Sequence, residues 1–186
     1  MRQKGFSLIE MLVVCAIFSI VVGAITGIFI SAIRAQRYSL ASQQLIDQAS
    51  YTMEYMSRFL RMAKKDDDAG TCTGVPRSNY WTDGTRLKFK NYKLPPEPQC
   101  QEFFLVETSA DGNKQLYQEL DGVELPLTSN KFNVKTLKFV VSGDNLGDNT
   151  QPKVTIFLEM EGTGASPQPR IKIQTTISQR DIDISE

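Results

Sequence analysis

The sequence predicts an α+β protein, one long N-terminal helix followed by antiparallel strands. Two patterns predict it. Residues 6–33 make 28 positions, 21 of them apolar and only Glu10 charged, and no Pro or Gly interrupts residues 34–65. Beyond Gly70 the pattern changes to short runs of period two, separated by Gly, Pro, Asp and Asn. Composition narrows the rest. The 186 residues are 41% hydrophobic, but outside the N-terminal run the share falls to roughly 35%, leaving a rather polar domain. Lys+Arg and Asp+Glu both number 21, with pI near 6.4. That balance argues against a strongly basic nucleic-acid binder. There is no histidine, which removes the commonest general base and the commonest metal ligand.

The N-terminal run is long enough to cross the hydrocarbon core, which takes about 20 helical residues. Arg2 and Lys4 precede it, so the positive-inside bias places the C-terminal bulk outside the cytoplasm, although Arg34 and Arg37 weaken that bias. An ordinary secretory signal peptide has a shorter apolar region and a small-residue cleavage site, and none follows Ile33. A plain signal anchor fits the length but leaves Glu10 unexplained. An isolated carboxylate in an apolar span costs a few kcal/mol and marks a function or a partner cation.

The stretch Lys4-Gly5-Phe6-Ser7-Leu8-Ile9-Glu10-Met11-Leu12-Val13-Val14 resembles the class III signal of type IV pilins and type II secretion pseudopilins. The resemblance implies a leader over residues 1–5, cut between Gly5 and Phe6 by a prepilin peptidase, then N-methylation of Phe6. It also implies that Glu10 forms an assembly salt bridge with the terminal amine of a neighbouring subunit. Each charge then relieves the other's desolvation, and removing one strands the other at a cost of several kcal/mol. Loss of Arg2 and Lys4 leaves 19 cationic side chains against 21 anionic ones. The fold implied is a pilin-like lollipop with a transmembrane and polymerisation helix over 6–33. An amphipathic continuation over 34–65 then packs against an α+β head of antiparallel strands over 66–186.

Tyr38, Ala41, Leu45, Ala49, Thr52, Met56, Phe59 and Ala63 recur at steps of three or four, so they predict one buried helix face ending near Lys65. Asp66, Asp67 and Asp68 oppose the helix dipole there and read as a solvated helix end. Gly23 and Gly27 form a G-x-x-x-G, open to close helix packing or to ordinary glycine tolerance in a span. Many major pilins carry proline at the position of Gly27, so this chain departs from them there.

Residues 70–101 read as loop-rich, with a short strand over 86–92. Strands over 102–108 and 114–120 flank Asp111-Gly112, a hairpin signal. Two more, 132–141 and 153–161, flank a Gly/Asp/Asn-rich turn. Val154, Ile156, Leu158 and Met160 alternate with polar residues, as do Ile171, Ile173, Thr175 and Ile177 within a last strand over 170–184.

Three cysteines occur. Cys15 lies in the span as a small apolar residue. Cys72 and Cys100 bracket the loop-rich region, and an oxidising compartment favours their disulfide, with two free thiols the alternative. A metal pair is poor, because no histidine completes it. Residues 143–149, including Asp144 and Asn149, offer oxygens but miss the EF-hand spacing, so a plain turn is expected and no metal or other cofactor is assigned. Tyr80-Trp81 with Arg77 and Arg86 can stack on bases or sugars, but Trp81 buried in the head or at a subunit contact explains it as well. No nucleophile motif or phosphate loop appears, and no catalytic residues are assigned.

The reading is therefore a structural subunit rather than an enzyme. It is held by inner-membrane lipid as a single-pass precursor, then joined to other pilin or pseudopilin subunits in a periplasmic or extracellular filament. The stem and irregular strands look similar to J-type minor pseudopilins and minor pilins. A signal-anchored binding module that never polymerises is the alternative class.

Overall fold

The computed structural model describes residues 5, 7–92, 99–108, 112–144, 150–163 and 167–180. The expected hairpin residue Asp111, the C-terminal Ile182 and Ile184, and residues 145–149 lie outside them. The chain divides into two compact units, residues 1–40 and 41–186.

Helix α1 spans Leu8–Arg61. Nine strands follow: β1 (Ala63–Lys64), β2 (Tyr80–Thr82), β3 (Leu87–Asn91), β4 (Gln99–Glu107), β5 (Lys114–Leu120), β6 (Val123–Pro126), β7 (Phe132–Ser142), β8 (Lys153–Gly162) and β9 (Arg170–Ser178). The α+β order is the expected one, one long apolar helix and then antiparallel strands.

In the first unit every described residue but one is exposed, its exposed large apolar side chains running from Leu8 at 79% to Tyr38 at 42%. Three hydroxyls of this stretch are satisfied within the helix. Ser19, Thr26 and Ser31 turn their hydroxyls back onto the carbonyls of Cys15, Val22 and Gly27 at 2.8, 2.8 and 3.0 Å. Such internal bonding lets polar side chains sit in an apolar surround.

The second unit uses the C-terminal half of α1 as one wall of its core. Leu45, Ala49, Thr52, Met53, Met56, Phe59 and Leu60 are buried there, close to the stripe the sequence predicts. Tyr38, at the start of that stripe, is exposed instead. Two sheets share this core. One runs β1-β3-β4-β5-β6, with β2 also on β3, and the other β7-β8-β9. Phe89 and Phe103, wholly buried, stack at 5.6 Å between centroids. From the second sheet Val134, Phe139, Val154, Ile156, Leu158 and Met160 face inward, confirming the alternation read along β8. A side-chain chain also crosses the core. Asn91 Nδ2 donates to Gln101 Oε1 at 2.8 Å, while Gln101 Nε2 and the Tyr55 hydroxyl both donate to Gln118 Oε1. Buried amides so linked leave no orphan at these atoms.

The helix ends at Arg61 rather than near Lys65, because Ala63 and Lys64 pair with Asn91 and Lys90 as β1. Its last carbonyls find partners in the same unit. Tyr80 donates its hydroxyl to the Leu60 carbonyl at 2.6 Å, and the Arg180 N–H donates to Arg61 at 2.9 Å. Gln179 Nε2 donates to the Ala63 carbonyl just beyond. These bonds satisfy groups that every helix C-terminus leaves open.

Candidate processing and assembly site

Helix α1 begins at Leu8. Ser7 precedes the first helical residue, and its carbonyl accepts the N–H groups of Glu10 and Met11 at 3.1 and 3.3 Å. Gly5 is exposed, and Phe6 lies outside the described residues. Glu10 is exposed in the first turn, where its charge complements the helix N-terminus. Among the described residues no cation pairs with it. Added Cβ atoms at Gly23 and Gly27 would meet nothing within 4 Å. Neither glycine is needed for packing against the described residues. Cys15 is a free, exposed thiol on the same segment.

The most apolar 18-residue window of α1 has a mean hydropathy of 2.7 and none of it is buried, enough by length and composition to cross a membrane. A bare apolar surface of this kind is stable only against lipid or other apolar helices.

In the second unit, Cys72 and Cys100 form a disulfide, their Cα atoms 5.3 Å apart. The loop leading to Cys72 is anchored by a residue the sequence misplaces. Asp66 is buried, not solvated. Its carboxylate accepts the N–H groups of Cys72, Thr73 and Asp67 at 2.9, 2.7 and 2.9 Å and the Thr73 hydroxyl at 3.0 Å. Lys90 stands 3.7 Å away. Burial pushes the Asp66 carboxyl up, but these hydrogen bonds outweigh it and hold it below the usual range. Asp67 and Asp68 stay exposed as expected. Bonds from the Thr71 hydroxyl and N–H, with Lys90 close by, take Asp67 down to about 2.

Asp144 plays a similar part from the far side of the loop. It accepts the Ser78 hydroxyl at 2.6 Å, the Asn79 N–H at 2.8 Å and the Asn79 side-chain amide at 2.9 Å. Its oxygens are thus committed to donors of this chain. The rest of the turn considered for calcium, residues 145–149, lies outside the described residues. Trp81 is half-buried, with the Lys88 ammonium 5.7 Å from its ring centre. Of the two arginines considered from sequence, Arg86 sits over Phe104 and Arg77 pairs with Asp68.

Residues 1–26 match the family described as the prokaryotic N-terminal methylation motif. No curated protein and no solved structure matches the chain. The motif implies processing by a prepilin peptidase and assembly with other pilin subunits. With the apolar helix it fits an inner-membrane-anchored protein. Through its first 26 residues the chain carries the class III signal of type IV pilins and pseudopilins.

Proposed function

We propose that this protein is a structural subunit of a type IV filament, a pilin, minor pilin or pseudopilin. It waits in the inner membrane with its second unit outside the cytoplasm. Prepilin peptidase cuts between Gly5 and Phe6, and the new Phe6 amine is methylated. The helix then leaves lipid for the apolar surfaces of neighbouring subunits. Glu10 meets a neighbour's terminal amine there, so that both charges are desolvated together. The observation that supports this best is the methylation motif running directly into an unburied apolar helix.

Mass spectrometry of the protein purified from membranes is the test. The expected product lacks Met1 to Gly5 and carries one added methyl on Phe6. An intact N-terminus would favour the signal-anchored binding module instead. Cleavage after Ser31 or Ala35 would remove the span and overturn the assignment.

A further inference from the structure

Among the strand edges of the second unit that are unpaired among the described residues, those of β6 and β9 have complementary chemistry. Strand β6 pairs only with β5, and β9 only with β8. All of β6 is exposed, with Val123 at 58% and Leu125 at 49%. On its other face Glu124 lies opposite Glu119, which itself lies opposite Glu102. Like charges directly opposite are unfavourable in a sheet. Arg86 and Lys88 pair with Glu102, but among the described residues no cation pairs with Glu119 or Glu124. Strand β9 shows the opposite character. Arg170 and Lys172 alternate with half-buried Ile171 and Ile173, and β9 carries no carboxylate of its own. Within the chain Arg170 pairs with Glu159 and Glu161, and Lys172 with Glu159 of β8, so a carboxylate from a second copy would share Lys172 with Glu159.

Main-chain phase decides whether the two edges can meet. Leu120 and Val123 close the two-residue Asp121-Gly122 turn, both of whose residues have positive φ. Such a turn makes Leu120–Val123 a hydrogen-bonded pair and Glu119–Glu124 the next, non-bonded one. The Glu124 N–H and C=O therefore point outward. In the β8–β9 ladder, the Gly162 N–H donates to Pro169 and the Gln179 N–H to Pro152. Counting alternate pairs from either end makes Glu159–Lys172 non-bonded, so Lys172 also turns its N–H and C=O outward.

We infer that β6 of one copy pairs antiparallel with β9 of a second copy, Glu124 opposite Lys172. That register exchanges two main-chain bonds at Glu124–Lys172 and places the carboxylate beside the ammonium. It also sets Val123 against Ile173 and Leu125 against Ile171 on the apolar side. Pro126 falls opposite Arg170, where it accepts through its carbonyl. The pairing joins two different patches, so it is heterologous and propagates along a row of copies instead of closing a dimer.

The test uses the full chain in membranes, in a Cys15→Ser background, with Glu124→Cys and Lys172→Cys on separately tagged, co-expressed copies. Mild oxidation is expected to give a mixed dimer at about tenfold the yield of either variant alone. A chain carrying both substitutions is expected to give a ladder. A second arm reads a Val123→Cys and Ile173→Cys pair. Glu124→Lys on one copy is expected to lower that cross-link, and Lys172→Glu on the other to restore it. Dimers formed equally by Glu124→Cys alone would show a β6–β6 contact, and no mixed dimer would show no such pairing; either overturns the inference. Leader removal is scored on the same samples. Cleaved protein without the cross-link defeats only this contact, and cross-linked but uncleaved protein defeats only the filament reading.

Discussion

Tyr80 donates its hydroxyl to the Leu60 carbonyl at 2.6 Å, so a side chain from β2 caps the last turn of α1. Both groups are buried, and burial with the nearby Asp144 charge pushes the tyrosine hydroxyl well up from its ordinary range. Tyr80 therefore acts as a neutral donor at any physiological pH.

Tyr80→Phe keeps the ring against Phe89 but leaves the Leu60 carbonyl without this donor. The expected cost is about 1–3 kcal/mol, a drop of about 2–4 °C in Tm per kcal/mol for a domain of this size. Thermal melts followed by circular dichroism check it. An unchanged Tm would mean that water or another donor replaces the hydroxyl.

Asp66 and Asp144 are expected to differ when each is changed to Asn. At Asp66, one oxygen receives two main-chain N–H groups and a hydroxyl, none of which can become an acceptor for an amide except the hydroxyl. Asp66→Asn should cost about 2–3 kcal/mol. At Asp144, the Ser78 hydroxyl can reorient, since it already has the Tyr80 carbonyl within 2.8 Å. Asp144→Asn is therefore the milder change. Urea unfolding of both variants decides it, and equal losses would contradict the argument.

The strands most legible in the sequence were those with one face buried. Val154, Ile156, Leu158 and Met160 alternate because β8 presents one side to the core. Helix residues 45–60 were legible for the same reason at period 3.6. Strand β6 was not read, although Asp121-Gly122 signals its turn, because four exposed residues carry no burial pattern. Strand β2 is too short to show a period. Asp66 was misread because a run of three carboxylates looks solvated until the chain from 67 to 73 folds back and supplies N–H donors. The motif residues were legible because the apolar helix imposes its own contrast around Glu10.

Acid should destabilise the second unit. Asp66, Asp67, Asp83 and Glu161 all have carboxyls held below their ordinary values of 3.8 or 4.5. Burial opposes the shift at Asp66, Asp83 and Glu161, and is outweighed by N–H donors at the aspartates and by Lys135 and Arg170 at Glu161. The unfolded chain then binds more protons than the folded one as pH falls through this range. The stabilisation is complete above about 4.5 and fades on acidification, the Asp67 share persisting until about 2. Tm measured from pH 7 to pH 3 should be level at first and then fall. A Tm that rises below pH 4 would reverse the sign.

Reducing Cys72–Cys100 should weaken the same unit. The bond closes a separation of 28 residues, for which the loop-entropy account gives about 3–4 kcal/mol. Alkylation without reductant is expected to label Cys15 alone, and with reductant all three cysteines. Labelling of Cys72 or Cys100 in unreduced protein would contradict the pairing.

Glu10→Ala separates insertion from assembly. Removing the charge makes the segment more apolar, so membrane insertion should be undiminished. The second unit should fold as before, because its buried core begins at Leu45 and draws nothing from the Glu10 turn. Incorporation into filaments should fall sharply, since the neighbour's Phe6 amine would enter an apolar surround without its counter-charge, a loss of several kcal/mol. Glu10→Asp should be intermediate, its carboxylate one methylene short of the same position. Co-purification with other filament subunits is the measurement, with leader cleavage scored in parallel to show that the peptidase still acts. Full incorporation of cleaved Glu10→Ala would mean that the amine finds another partner, and the pairing assigned to Glu10 would be wrong for this subunit.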